Sequence, residues 1–350
     1  MNSEIKKKYN AFWAHDYDER AVLHIEVPSP AAYTEPPEDV TARYEDISYR
    51  IESFIRYMNN TRYCAEGIPF TQAYFGPGVL AAMLGSDYTY YPETVWFGEK
   101  PLVKDWRDMD SVSLSPENRM YRMVLEMNRR LCGESKGSFS IAMTDLGGNL
   151  DILASLRGTE QLLMDLVEAP QEVEKALAKI DALWESAFSQ FHSVMEASVY
   201  GMTSWIPIWC PKTWYPLQCD FSAMISPDHF ERFVMPSLIR ASNFLAHSIY
   251  HLDGPGELPH LDLLLSIDRL DGIQWVPGAG KPNNADDCWF PLYEKIQSKG
   301  KCLVIYAGNS AGEALHLLKH LSHKGLFIHC NLKSAEEADE VIRKAKEYAK

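Results

Sequence analysis

From residue 248 onward the sequence repeats one pattern, and that pattern constrains the fold more than any other feature. Short apolar runs (Ser248–Leu252, Gly272–Val276, Cys302–Tyr306, Leu326–His329) alternate with amphipathic stretches, among them Leu261–Ile267, that read as helices. This is the rhythm of βα units around a parallel sheet. Capping signals mark where helices open. Ser310-Ala-Gly-Glu313 and Ser334-Ala-Glu-Glu337 read as capping boxes. Ser226-Pro227 sets an N-cap serine before a proline at the first helical position, and Pro236 is expected to bend the helix that follows.

The earlier half carries the same signals more loosely. Ala21–Val27, Ser138–Thr144, Gly201–Trp209 and Gln218–Ala223 are strand candidates. Pro170–Phe191 is a helix, because Val173, Ala176, Leu177, Ile180, Trp184, Ala187 and Phe191 fall on one stripe at helical period. Eight strands separated by helices predict an α/β fold, a single (β/α)8 TIM-type barrel, and 350 residues is an ordinary length for one. Residues 1–60, polar and with a Pro-rich patch at Pro28–Pro37, read as an N-terminal helical extension, and 61–350 as the barrel. Periodicity alone leaves an open doubly wound sheet standing. The lack of a GxGxxG or Walker-type loop speaks against a nucleotide-binding sheet of that kind.

Charge and cysteine usage narrow the partners. With 48 acidic and 34 basic residues the net charge is −14, which repels nucleic-acid phosphates and anionic lipid alike. The 7 cysteines form no CxxC pair, the N-terminus lacks the apolar core of a signal peptide, and no apolar run is long enough to span a membrane. A cytoplasmic chain with free thiols is expected.

Barrels carry their chemistry at the C-terminal ends of strands. That rule selects His251 and Asp253, Trp275, Tyr306, and His329 with Cys330, and from earlier strands Asp145, Trp205, Trp209 and Asp220. His251, Asp253 and Cys330 offer imidazole, carboxylate and thiolate, the usual zinc donors. The same residues also admit an ordinary reading, with Asp-Gly as a turn pair and Cys330 as a small buried hydrophobe. The segment Trp205–Tyr215 either lines a wide cleft, with Trp205 and Trp209 on one face, or packs the core. Asp145 and Asp220 are candidate acid–base or substrate-orienting groups.

Four stretches together resemble the uroporphyrinogen decarboxylase superfamily: Phe75-Gly-Pro-Gly78 with Leu84-Gly85, Gly147–Gly158 with the following helix to Pro170, Ile225-Ser-Pro-Asp228 through Phe233 and Pro236, and His251-Leu-Asp-Gly254. The resemblance covers the chain from about Phe70 to its end. It is nearer to the corrinoid-dependent methyltransferase branch, of the methylcobamide:coenzyme M type, than to the decarboxylase. No Arg-containing motif near the first strand matches the one with which the decarboxylase holds its polycarboxylate substrate.

The resemblance implies a Zn2+ site at His251, Asp253 and Cys330, with Asp253 standing where the branch has a cysteine. It implies methylcobalamin carried on a corrinoid partner protein as methyl donor or acceptor, and a small molecule on the other side of the transfer. Asp220 and Asp145 would be catalytic, and Trp205, Trp209, Trp275 and Tyr306 would line the substrate pocket. The decarboxylase side suggests a homodimer. Two alternatives stand beside this: a metal-free decarboxylase in which Asp145, Asp220 or His251 handles protons, and a non-catalytic barrel that binds a small molecule or a corrinoid protein.

Overall fold

A computed structural model describes residues 2–17, 19–196 and 201–349. Its strands are β1 (Val22–Pro28), β2 (Thr61–Ala65), β3 (Phe70–Gln72), β4 (Tyr88–Tyr90), β5 (Val95–Phe97), β6 (Ser140–Ala142), β7 (Trp214–Leu217), β8 (His247–Asp253), β9 (Gly272–Val276), β10 (Cys302–Tyr306) and β11 (Leu326–Asn331). Seven of them form one sheet in the order β2-β1-β11-β10-β9-β8-β7, parallel throughout except for the edge strand β2. β3 and β6 pair separately in parallel, and β6 reaches residue 203 through a parallel bridge at Ala142. The fold is therefore mixed α/β around a large parallel sheet.

The second half matches its sequence signals closely, since β9 and β10 have the expected limits. The hydroxyls of Ser226, Ser310 and Ser334 each accept the backbone N–H three residues on and cap the helices Pro227–Phe233, Ala311–His320 and Ala335–Tyr348. The helix expected to bend at Pro236 instead ends at Phe233 and restarts at Met235, because proline has no N–H to give the preceding turn. The long helix runs Pro170–Glu196 and buries its apolar stripe.

Two strand candidates need correction. Between 201 and 209 only Met202 and Thr203 make bridges. Pro207 interrupts the run, Ile208 N–H turns back to Ile206 O, and Met202 and Cys210 exchange backbone hydrogen bonds across the loop. The strand of this region is β7, at Trp214–Leu217, and 218–223 is its exit loop with a 3-10 turn at Asp220–Met224. β1, inside the segment expected as an extension, pairs with both β2 and β11 and so belongs to the sheet, while the helices Ser3–Trp13 and Ile47–Asn59 flank it. A bidentate ion pair anchors its start: Arg20 donates to both oxygens of Glu66 at 2.7 Å, with the two side chains 2% and 0% exposed.

Candidate active site

Register decides which side chains share one face of the sheet. His24 lies beside His329, His329 beside Tyr306, and His251 beside Gln274. Because successive residues of a strand face opposite ways, Cys330 and Trp275 then face the other side. Cys330 is buried next to Cys64, and burial pushes its thiol up to about 12. Trp275 packs on Trp289 with ring centroids 4.9 Å apart. Neither joins the site expected of it, and the period of two is the reason. Trp209 is also elsewhere, with Lys6 over its ring and its carbonyl accepting the Trp13 indole N–H, against the N-terminal helix.

What this face does bring together is His251, Asp253 and Asp220. Among the described residues they form one of two donor clusters, with ligand atoms all within 4.8 Å of one another. His251 and Asp253 come from the end of β8, two residues apart and on the same face. Asp220 comes from the loop after β7. A polar chain fixes the imidazole. Tyr306 Oη donates to Trp205 O at 3.1 Å and takes a hydrogen bond from the side chain of Gln274. Gln274 Oε1 in turn sits 2.7 Å from His251 Nδ1. With its amide nitrogen used on Tyr306, Gln274 presents an oxygen to His251, so Nδ1 carries the proton and Nε2 keeps its lone pair. Trp205 lies edge-on to His251 at 6.4 Å. Of the four residues expected to line the pocket, Trp205 is therefore beside His251, and Tyr306 is joined to it through Gln274.

Carboxylates crowd around this cluster. Asp145, at the end of the segment after β6, accepts N–H groups from Gly78 and Gly147 and sits 3.4 Å from both Tyr215 Oη and Gln218 Nε2. Burial pushes its carboxyl up to about 6 in spite of those donors. Asp151 accepts the backbone N–H groups of Asp220 and Phe221, and burial together with the Asp220 charge pushes it up to about 7. Glu257 goes further, to about 9, again through burial first and Asp220 second. Asp220 itself is raised by loss of water and by Asp253, with His251 pulling the other way. Glu257 therefore keeps its proton at neutral pH and Asp151 is about half protonated there, whereas Asp145 is mostly ionised.

An open cleft of about 440 Å³ adjoins the cluster, lined among others by Gly78, Trp96, Asp151, Gln218, Asp220 and Met224. Trp96 and Met224 are 62% and 51% exposed, an apolar rim on a polar floor. The sequence reading missed Asp151, Gln218, Glu257 and Gln274. Gln274 was detectable, as one polar residue inside the apolar run Gly272–Val276; Asp151 and Glu257 sit in helical turns after strand ends and carry no such mark.

No protein-family model matches the chain, and no curated protein matches it by sequence. Its structure is similar to that of a methyltransferase from Methanosarcina mazei, with a TM-score of 0.61 over 98% of each chain at 11% identity. At that identity the likeness is one of fold. The chain is an α/β protein with that fold, and no helix among its described residues is long and apolar enough to cross a membrane.

Proposed function

We propose that the chain is a methyltransferase that moves a methyl group between a corrinoid held by a partner protein and a small molecule, with a zinc ion bound by Asp220, His251 and Asp253. The observation that carries this reading is the convergence of those three donors at strand ends beside an open cleft. The fold shared with a methyltransferase supports it. In this reading the main sheet, β3, β6 and residues 202–203 close into a (β/α)8 barrel, and the cleft is its mouth.

The donor set suits the ion. One imidazole nitrogen and two carboxylates are donor types that zinc accepts, and a zinc held by these three would keep room for a substrate atom. His251 is oriented by Gln274 through Nδ1, the usual device for presenting Nε2 to a metal. Asp220 replaces Cys330 in the ligand set that the family resemblance implied. A zinc ion held there would supply Lewis acidity that lowers the pKa of a bound thiol or hydroxyl and would make it a nucleophile near neutral pH. Trp205 and the cleft wall then hold the substrate beside the cluster. Asp151, protonated up to about 7, can donate or take back a proton at its carboxyl oxygen.

A second reading has one observation in its favour. Buried Asp145 and Glu257 and half-buried Asp151 are three acids with raised pKa values, a set suited to metal-free proton handling in a lyase.

Zinc per chain, measured on protein stripped with chelator and reconstituted, and turnover of methylcobalamin with a panel of thiols, or of cob(I)alamin with methoxy-aromatics, test the proposal. One zinc should be lost in His251→Ala and in Asp253→Ala, together with methyl transfer. Wild-type zinc content in both variants would refute it. Conversion of uroporphyrinogen to coproporphyrinogen by the stripped protein would establish the lyase reading instead.

A further inference from the structure

A second cluster of donor atoms lies on β1 and β11. His24, Glu26 and His329 each offer one ligand atom, all within 4.8 Å of one another. The register sets His24 directly beside His329, and Glu26 follows two residues on, facing the same side. The two imidazoles meet nearly edge to face at 4.7 Å. His24 Nε2 and Glu26 Oε1 are 2.8 Å apart, and the Tyr57 hydroxyl donates to the other carboxylate oxygen at 2.6 Å. Burial works against charge on Glu26, but the bonds to His24 and Tyr57 outweigh it and hold the carboxyl below its usual range.

Two nitrogens here are buried with no hydrogen-bond partner, Nδ1 of His24 and Nε2 of His329. Buried polar atoms are rarely left so, because each loses its water without replacement. The walls do not answer them: Tyr63, Phe70 and Phe327 surround His24, and Tyr306 meets His329 edge-on. An anion would meet the Glu26 carboxylate. A cation would find one negative oxygen and two imidazoles.

We propose that His24, Glu26 and His329 bind a divalent first-row transition-metal ion, as a site separate from the Asp220, His251 and Asp253 cluster. Two imidazoles and one carboxylate select zinc, iron or cobalt over calcium or magnesium, which take oxygen donors. Ligands about 2.1 Å from one tetrahedral ion stand about 3.4 Å apart, so ligand atoms at the 4.8 Å limit of the cluster would close on an ion with a shift of about 1.4 Å between them. The Tyr57 hydroxyl fixes the Glu26 carboxylate for the ion. The two clusters are joined by the polar chain His251–Gln274–Tyr306, whose last ring lies against His329. This site does not depend on the proposed methyl transfer.

The test is a cobalt titration of the chelator-stripped chain, read by visible absorption and by elemental analysis. The wild type should take up two ions, and His329→Ala and His251→Ala one each. Tyr57→Phe should keep both ions but bind the one at Glu26 roughly 10- to 100-fold more weakly. Wild-type uptake and affinity in His329→Ala would overturn the inference. Loss of an ion in His329→Ala with none lost in His251→Ala would sustain this site and remove the proposed active-site metal; the opposite pattern would do the reverse. Circular dichroism of the stripped variants checks folding, and if His329→Ala does not fold, His24→Asn and Tyr57→Phe decide by the same titration.

Discussion

Gln274→Met should weaken zinc binding at His251 without touching a ligand. Gln274 is 1% exposed, so methionine, of nearly the same shape, fills its place without opening a cavity. Two hydrogen bonds go: the one His251 Nδ1 makes at 2.7 Å, and the one given to Tyr306. Each neutral bond is worth about 1 kcal/mol net, so the pair comes to about 2 kcal/mol. If that sum is felt at the imidazole, zinc affinity falls roughly 30-fold, inside the 10- to 100-fold range typical of groups that orient a metal-bound histidine. Competition against a chromophoric chelator reads the dissociation constant directly. Gln274→Glu is the companion variant, because its carboxylate still accepts the Nδ1–H and should keep zinc binding near wild type. Wild-type affinity in Gln274→Met, with a lowered melting temperature, would refute the reasoning: Gln274 would then be a packing residue and the tautomer of His251 would be set by something else.

Three further outcomes follow from the structure. Arg20→Met leaves the fully buried Glu66 with only Lys8, at 3.2 Å, as a counter-charge, and should cost about 3 kcal/mol in denaturant unfolding, the low end for a broken buried pair. Glu257 titrates at about 9 in the folded chain against an ordinary 4.5, so its contribution to stability is complete below 4.5 and is lost as pH rises through 9. The melting temperature of metal-free protein should fall across that window in the wild type, and less steeply in Glu257→Gln. Gly148→Ala would set a Cβ 2.1 Å from Gln218 O and 2.5 Å from an Asp151 oxygen, and overpacking of that kind should destabilise by about 1–3 kcal/mol and displace the polar floor of the cleft, seen as weaker substrate binding.

Much of the second half of the fold was legible from the sequence. β9 and β10 end where their apolar runs end, and the serine caps at 226, 310 and 334 are in place, because strand burial and helix capping are local effects written within a few residues. The region 201–223 was misread for the same reason inverted: Trp, Ile and Pro at that density satisfy a strand pattern, yet Pro207 breaks it and the strand forms five residues beyond Trp209, at Trp214.

At the site, sequence alone determined that His251 and Asp253 close a strand on one face, since their spacing of two fixes that wherever the strand lies. It could not determine the third partner. The sequence pointed to Cys330 as the third ligand and to Asp220 as a catalytic group, and only the register of β11 against β1 set His329 and Cys330 on opposite faces, while the exit loop of β7 carried Asp220 to His251. The pairing of His24 with His329 is of the same kind: two residues 305 positions apart meet because β1 and β11 are neighbours in the sheet, a contact that no local pattern encodes.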